Sequence, residues 1–264
     1  MILEKRKKYL QIALNSTIDE ARQIVSQLPR SDKILIEAGT PLIKEFGVQA
    51  LSEIRSITSL GTYIVADTKC ADLADREVQM VSEKQVVPAA TFAYIAPKIS
   101  FIEMLKMTVP QIETMKKNQP QSIPFTRKLG GVSAATVLGV APIETIDLFI
   151  EECKKRGIDS MVDMMNVENP LFVLKKLKSP PDVVVLHRGV DETEFSREKQ
   201  IPYYQIKQIK GNYDVLIAVA GGDTIREVQR AFFNDADIVV VWKNFYQATS
   251  DTAQLAKDFL NEVK

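Results

Sequence analysis

Short aliphatic segments alternate with helix-like segments along the whole chain of 264 residues. Eight of these segments are apolar on both faces, which is typical of parallel strands covered by helices. Most repeats take roughly 20 to 30 residues, the length that a strand, a helix and two short loops require. These observations predict an α/β fold of the (β/α)8 (TIM) barrel type, with residues 1–264 forming a single domain. An open, doubly wound sheet is the second interpretation.

The predicted strands recur through the chain, at residues 10–14, 34–38, 63–66, 134–138, 160–164, 183–186, 215–220 and 238–241. Start and stop signals place helices between them. Thr17, followed three residues later by Glu20, predicts a helix that runs to about residue 28. Pro142 opens another helix that stops at Gly157, Thr224 opens a third, and residues 252–263 form the last one.

One interval, between Asp72 and Gly131, is far longer than a single crossover needs. Several helix breaks are expected there, at Pro88, Pro97, Pro110, Pro120 and Pro124. We therefore expect a helical insertion after the third strand, at about residues 81–130. Two interpretations remain open: a surface elaboration that packs its own apolar face, or a lid over the barrel mouth or an arm that grips a second subunit.

The composition is that of an ordinary globular protein, with 45% hydrophobic and 26% charged residues. Lys plus Arg (34) balances Asp plus Glu (34), so the net charge indicates neither nucleic acid nor membrane as a partner. No long apolar segment follows the basic residues 5–8, so we expect neither a signal peptide nor a membrane span. Two cysteines, Cys70 and Cys153, are too few for a disulfide framework or a structural zinc site. We expect a cytoplasmic protein.

Polar residues follow the predicted strands at their carboxyl ends, where the chemistry of such barrels is located. The most informative segment is 67–72, in which Asp67, Lys69 and Asp72 place two carboxylates and an ammonium on one rim of the sheet. The other strand ends carry Asn15, Glu37, Asp163 with Asn166, His187 with Arg188, Gly221 with Gly222, and Trp242 with Lys243.

Each of these residues also has an ordinary structural interpretation. Segment 67–72 is compatible with a solvated loop, Glu37 with a helix-capping acid, and the Gly221-Gly222 pair with a simple turn. A single strand-end histidine such as His187 is more often structural than catalytic. Their shared position at the strand ends nevertheless favours one functional site.

The residue types at these ends indicate a mechanism. Glu37 and Asp67, on adjacent predicted strands, can supply oxygen ligands to Mg²⁺, and such an ion would stabilise an enediolate beside a breaking carbon–carbon bond. Lys69, held between Asp67 and Asp72, should stay protonated near the developing oxyanion. His187 is the natural proton carrier.

A phosphate site is expected after the last two strands, where barrels often bind phosphate. The Gly221-Gly222 pair precedes the helix that starts at Thr224, and it should leave backbone N–H groups available for an anion. Lys243, at the end of the next strand, adds a positive charge.

Several segments together resemble the orotidine-5'-phosphate decarboxylase superfamily, and within it the branch of 3-hexulose-6-phosphate synthase and 3-keto-L-gulonate-6-phosphate decarboxylase. They are LQIAL at 10–14, IEAGTPLI at 36–43, ADTK at 66–69, TVLG at 136–139, VDMMNV at 162–167 and AGG at 220–222. Pro41 and the 163–167 segment favour the synthase over the gulonate decarboxylase.

The resemblance implies that Glu37 and Asp67 hold Mg²⁺ and that Asp67, Lys69 and His187 serve catalysis. Asp72 would reach into the active site of the other subunit, which implies a homodimer with shared active sites. The candidate substrate contacts are Asn15, Asp163, Arg188, Gly221, Gly222 and Lys243. The implied activity is that of a carbon–carbon lyase on a sugar phosphate, by aldol addition of formaldehyde to ribulose 5-phosphate; a carboxy-lyase is the alternative.

The sequence departs from the superfamily pattern at three places. Asn15 stands where an aspartate is usual, and Trp242-Lys243 replaces a Gly-Gly or Gly-Arg pair around the phosphate. The insertion at 81–130 has no counterpart. Two further interpretations therefore stay open: a related lyase with a different, non-phosphosugar substrate, or an inactive barrel that binds a ligand or joins an assembly.

Overall fold

A computed structural model describes residues 1–59, 61–83, 131–189, 191, 201–222, 224–243, 245 and 251–263. In this part of the chain, eight parallel strands pair in sequence order, and the last strand pairs with the first to close a barrel. The strands are β1 Tyr9–Leu14, β2 Ile34–Ala38, β3 Tyr63–Cys70, β4 Ala134–Leu138, β5 Asp159–Asp163, β6 Val183–His187, β7 Leu216–Ala220 and β8 Ile238–Val241. The predicted (β/α)8 architecture is confirmed, and the open sheet is excluded.

Helices connect the strands on the outside of the barrel. Those in the described residues are α1 Ile18–Gln27, α2 Thr40–Phe46, α3 Gln49–Ile57, α4 Ala74–Ser82, α5 Ile143–Arg156, α6 Pro170–Leu174, α7 Tyr204–Lys210, α8 Ile225–Phe233 and α9 Thr252–Glu262. No helix among them is both long and apolar enough to cross a membrane.

Local sequence signals set the ends of several helices. The Thr17 side chain caps α1 by accepting from the N–H of Glu20, as the spacing of these residues predicts. Gly157 ends α5 with a φ of 68°, in the left-handed region that glycine adopts without a steric penalty. Thr224 and Glu227 form a reciprocal capping box at the start of α8.

Two hydrophobic clusters hold the barrel together. The larger cluster lies between the outward-facing strand residues and the helices; Leu10, Ile12, Phe149 and Phe259 belong to it and are almost fully buried. The smaller cluster fills the barrel interior with alternate residues of the strands, such as Tyr9, Leu35, Val65, Met161 and Leu216. Because side chains alternate along a strand, the same inward-facing rows continue toward the carboxyl ends into the polar residues of the candidate site.

The structure corrects the predicted end of β3. The strand extends to Cys70 rather than stopping at Ala66, and its register against β4 shifts between these two residues. The polar residues Asp67, Thr68 and Lys69 made this stretch resemble a loop, but they lie inside the strand. The other predicted strands agree with the structure to within one residue at each end.

The predicted insertion lies almost entirely outside the described residues. Helix α4 ends at Ser82, and the description resumes at Gly131. The two interpretations of residues 81–130, and the assignment of the whole chain to one domain, stay predictions.

Candidate active site

A cavity of about 570 Å³ opens at the carboxyl ends of the strands. It brings together most of the predicted site residues, from seven of the eight strand ends. Those lining it are Asn15, Glu37, Asp67, Lys69, Asp163, His187, Arg188, Gly221 and Lys243. Asp72 and Gly222 do not line it.

Lys69 is the central cation of this cavity. Its Nζ lies 2.9 Å from Oδ2 of Asp67 and 2.8 Å from Oδ2 of Asp163. Burial alone lowers the pKa of this ammonium, but the charges of the two carboxylates outweigh it and raise the pKa above its ordinary value. Lys69 therefore stays protonated, as predicted, although its second carboxylate partner is Asp163 rather than Asp72.

An unusual backbone conformation accompanies this contact. Lys69 has a φ of 47°, in the left-handed region that non-glycine residues rarely adopt. It lies within the register shift between Ala66 and Cys70. Strained conformations of this kind persist where the surrounding contacts hold them, and here two ion pairs hold the Lys69 side chain.

Asp163 joins Lys69 to the imidazole of His187. The Oδ2 atom of Asp163 also lies 2.8 Å from Nδ1 of His187, and Oδ1 accepts from the backbone N–H of Met165 at 2.9 Å. Burial opposes ionisation of Asp163, yet the hydrogen bond and charge of His187, with those of Lys69, lower its pKa to about 2. Conversely, burial acts to lower the pKa of His187, but the hydrogen bond that its Nδ1–H donates to Asp163 and the charge of that carboxylate outweigh burial, so that the pKa of His187 is raised.

Glu37 and Asp67 form a pair of buried carboxylates on adjacent strands, β2 and β3. Burial and then the charge of Asp67 raise the pKa of Glu37 to about 7. Oε2 of Glu37 accepts a hydrogen bond from Nε2 of Gln11, and Oδ2 of Asp67 accepts one from the Thr40 hydroxyl at 3.0 Å. These neutral donors orient the two carboxylates but do not neutralise them.

Asn15 extends into the cavity from the end of β1. A Cβ atom on residue 39 would lie 1.8 Å from its Oδ1 atom. Gly39 therefore makes room for the Asn15 side chain.

Asp72 is exposed and follows β3. Its predicted role in the active site of a second subunit stays a prediction.

Four polar residues of the cavity are absent from the predicted site: Gln11, Thr40, Thr136 and Glu227. A signal was present for Gln11, since it is a polar residue within an otherwise apolar strand and is only 2% exposed. Such a buried polar group needs a partner, and Glu37 provides it. Thr40 and Thr136 lie in the segments that carry the resemblance and Glu227 lies at a helix start, so the sequence gives no separate signal for them.

The ionised form of Asp163 should stabilise the fold in a pH-dependent way. Its native pKa of about 2 lies below the ordinary 3.8, so its contribution is present above about pH 4 and is lost as the pH falls toward 2. The shift corresponds to about 2 kcal/mol. We expect the free energy of unfolding, measured with urea at several pH values, to decrease between about pH 4 and pH 2 in both proteins. The decrease should be about 2 kcal/mol larger in the wild type than in Asp163→Asn. Equal acid dependence in both proteins would contradict this assignment.

The fold and the site define a (β/α)8 barrel with a charged cavity at the carboxyl ends of its strands. The model of the orotidine 5'-phosphate decarboxylase / HUMPS family matches residues 8–117. The bifunctional enzyme Fae/Hps of Methanocella arvoryzae is 33% identical over 260 residues, covering 97% of this chain and 53% of that protein. The predicted resemblance to the orotidine-5'-phosphate decarboxylase superfamily is confirmed by this family match and this relative. The chain spans about half the length of the curated relatives it matches.

Solved structures agree on the fold. The 3-hexulose-6-phosphate synthase of Salmonella typhimurium has a TM-score of 0.70 at 23% identity, over 97% of this chain and 98% of that one. The 3-keto-L-gulonate-6-phosphate decarboxylase of Vibrio cholerae has a TM-score of 0.63 at 15% identity, over 97% of each chain. At these identities the similarity concerns the architecture.

Proposed function

We propose that this protein is a Mg²⁺-dependent carbon–carbon lyase that acts on a phosphorylated sugar through an enediolate. The proposed reaction is the aldol addition of formaldehyde to ribulose 5-phosphate. One observation carries the proposal: Lys69 contacts both Asp67 and Asp163, and Asp163 also contacts His187, in a single cavity. The relatives named Fae/Hps, and the fold shared with a 3-hexulose-6-phosphate synthase, support this choice of reaction.

The donor set of the cavity fits Mg²⁺. Glu37 and Asp67 are two buried carboxylates with neutral donors beside them, and Lys69 is the one ammonium in direct contact with either of them among the described residues. Burial and then the charge of Asp67 raise the pKa of Glu37, and a bound cation would offset the repulsion between the two carboxylates. Mg²⁺ commonly binds one or two carboxylates and keeps several waters. When bound, the ion would stabilise negative charge on the oxygens of an enediolate.

His187 is the proposed proton carrier. Because the ionised Asp163 accepts a hydrogen bond from Nδ1–H of His187, the neutral ring carries its free lone pair on Nε2. In the proposed reaction, Nε2 takes the proton from C1 of ribulose 5-phosphate, next to the C2 carbonyl. The resulting carbanion forms a bond with the formaldehyde carbon, and the imidazolium returns the proton to the new alkoxide. Lys69 contributes its positive charge beside the developing negative charge.

The test is to incubate the full chain with formaldehyde and ribulose 5-phosphate, with Mg²⁺ and after its removal by a chelator. We expect condensation only with the metal. Glu37→Gln should weaken Mg²⁺ binding by about tenfold or more, measured by calorimetry, because it removes one of two charged ligands. Glu45→Gln, the same change at an exposed position of α2, serves as the control. Absence of condensation at every metal concentration would contradict the proposed reaction.

A second candidate function is a lyase that also works through an enediolate but acts on a substrate other than a phosphosugar. Trp242 follows β8 and lines the cavity beside the small apolar side chains of Ala13, Ala220 and Val240, so this wall favours an apolar group. As the only tryptophan in the chain, Trp242 provides a fluorescence signal for ligand binding at this wall. Tight binding of ribulose 5-phosphate, but not of ribulose, would exclude the second candidate; the opposite preference would favour it.

A further inference from the structure

A carboxylate of the protein lies at the end of the cavity where the sequence predicts an anion site. Glu227, in the first turn of α8, lines the cavity together with Arg188, Gly221 and Lys243. Its Oε2 atom accepts from the Thr224 N–H at 3.1 Å and from the Thr224 hydroxyl at 3.0 Å. Its Oε1 atom lies 3.5 Å from Nη2 of Arg188.

The two glycines before α8 accommodate these protein groups. Gly221 has a φ of +96°, and a Cβ atom there would lie 2.3 Å from the backbone oxygen of Arg188. The Arg188 Nη2 atom donates to the Gly221 carbonyl at 2.7 Å. A Cβ atom on Gly222 would lie 3.0 Å from Cβ of Glu227. In this structure, the glycine pair makes room for Arg188 and Glu227.

This arrangement has an electrostatic consequence for any anion that enters the cavity. The N–H of Thr224 already donates to the Glu227 carboxylate, and the guanidinium of Arg188 is paired with the same carboxylate. A phosphate dianion that approaches Arg188 would therefore lie close to the negative charge of the Glu227 carboxylate. Like charges in close contact oppose binding, and they do so more strongly in a partly buried site than in water.

We infer that Glu227 is a specificity-determining residue, which lowers the affinity of the cavity for phosphate by competing with it for Arg188. This inference rests on the proposed function, in which the substrate carries a phosphate. At the subsite that receives the substrate phosphate, Arg188 attracts the dianion, and the charge of Glu227 partly offsets this attraction. Glutamine can replace glutamate in a capping box. The substitution Glu227→Gln therefore removes the charge and keeps the shape of the side chain and its role at the helix start.

The test uses Glu227→Gln in the full chain, with inorganic phosphate and ribulose 5-phosphate as probes. Calorimetry and the fluorescence of Trp242 report binding. We expect both probes to bind the variant about tenfold more tightly than the wild type, whereas the affinity for ribulose, which lacks the phosphate, should change less than twofold. Adding Arg188→Ala to the variant should abolish the gain, since the competition takes place at that guanidinium.

Glu144→Gln is the matched control. Glu144 lies in the first turn of α5, a helix that also starts at the carboxyl end of a strand, but it does not line the cavity. If this control tightens phosphate binding as much as Glu227→Gln does, the effect is a general one of net charge and the inference is wrong. It is also wrong if Glu227→Gln leaves phosphate affinity unchanged.

The two proposals can fail separately. A protein in which Glu227→Gln strengthens phosphate binding, but which never condenses formaldehyde with ribulose 5-phosphate, contradicts the proposed reaction and retains the role of Glu227. A protein that catalyses the condensation but shows equal phosphate affinity in the wild type and the variant contradicts the role of Glu227 alone.

Discussion

Lys69→Met is expected to lower the rate of condensation by about a thousandfold, an effect of the size found when a stabilising donor is removed from an active site. The variant loses the ammonium that contacts both Asp67 and Asp163. It also loses the positive charge beside the developing oxyanion. The measurement is the initial rate with Mg²⁺, formaldehyde and ribulose 5-phosphate at saturating concentrations.

This prediction needs a control for stability. Removal of Lys69 takes the ammonium away from two buried carboxylates, which can cost about 3–5 kcal/mol, although Asp163 keeps its contact with His187 and Asp67 keeps the Thr40 hydroxyl. Thermal unfolding followed by circular dichroism must therefore show that the variant is folded at the assay temperature. Lys155→Met, at an exposed position of α5, is the matched substitution and should keep the wild-type rate. Retention of more than about a tenth of the activity in a folded Lys69→Met would contradict the catalytic role of Lys69.

Asp163→Asn should lower the rate by at least about a hundredfold and shift its pH dependence. The reaction needs the neutral imidazole of His187, so the rate should rise with pH as His187 loses its proton. Burial lowers the pKa of His187, but the hydrogen bond and charge of Asp163 raise it above the ordinary value. Without that charge, the pKa of His187 falls. The acid limb of the pH–rate profile must therefore move to lower pH in the variant.

Asp159→Asn is the control for this shift. Asp159 is also buried and also lies on β5, but at its first residue, where Tyr63 donates a hydrogen bond to it. It is remote from His187, so its replacement should leave the pH–rate profile in place. An acid limb that does not move in Asp163→Asn would contradict the assignment of His187 as the proton carrier.

The sequence was informative about the barrel for a physical reason. Parallel strands covered by helices are apolar on both faces, and such runs are readable without coordinates. The sequence does not predict the end of β3 because Asp67, Thr68 and Lys69 are polar, although they lie within the strand. The register shift after Ala66 depends on pairing with β4, which lies more than 60 residues away and has no local signature.

The convergence of the site residues could be predicted from the same rule. Strands that run parallel present their carboxyl ends on one face, so Glu37, Asp67, Asp163 and His187 had to lie near one another. The individual partners could not be predicted. Asp163, rather than Asp72, completes the contacts of Lys69, and only distances between strands show this.

At the predicted anion site, the sequence predicts the local structure but not the contacts between distant side chains. The motif from Gly221 to Glu227 predicts a helix start, and that prediction is confirmed. The sequence does not show that the carboxylate of Glu227 reaches Arg188 on the preceding strand end. The strength of anion binding at this point therefore depends on a contact between the first turn of α8 and the residue that follows β6.

The most direct test of the central claim is the exchange of the C1 protons of ribulose 5-phosphate with solvent, followed by NMR in D2O without formaldehyde. If the cavity forms an enediolate, the C1 proton signal should decay in the presence of the protein and Mg²⁺. The decay should be lost on chelation of the metal and in Lys69→Met. Retention of the C1 signal at saturating ribulose 5-phosphate and Mg²⁺ would contradict the account, because no enediolate would then form.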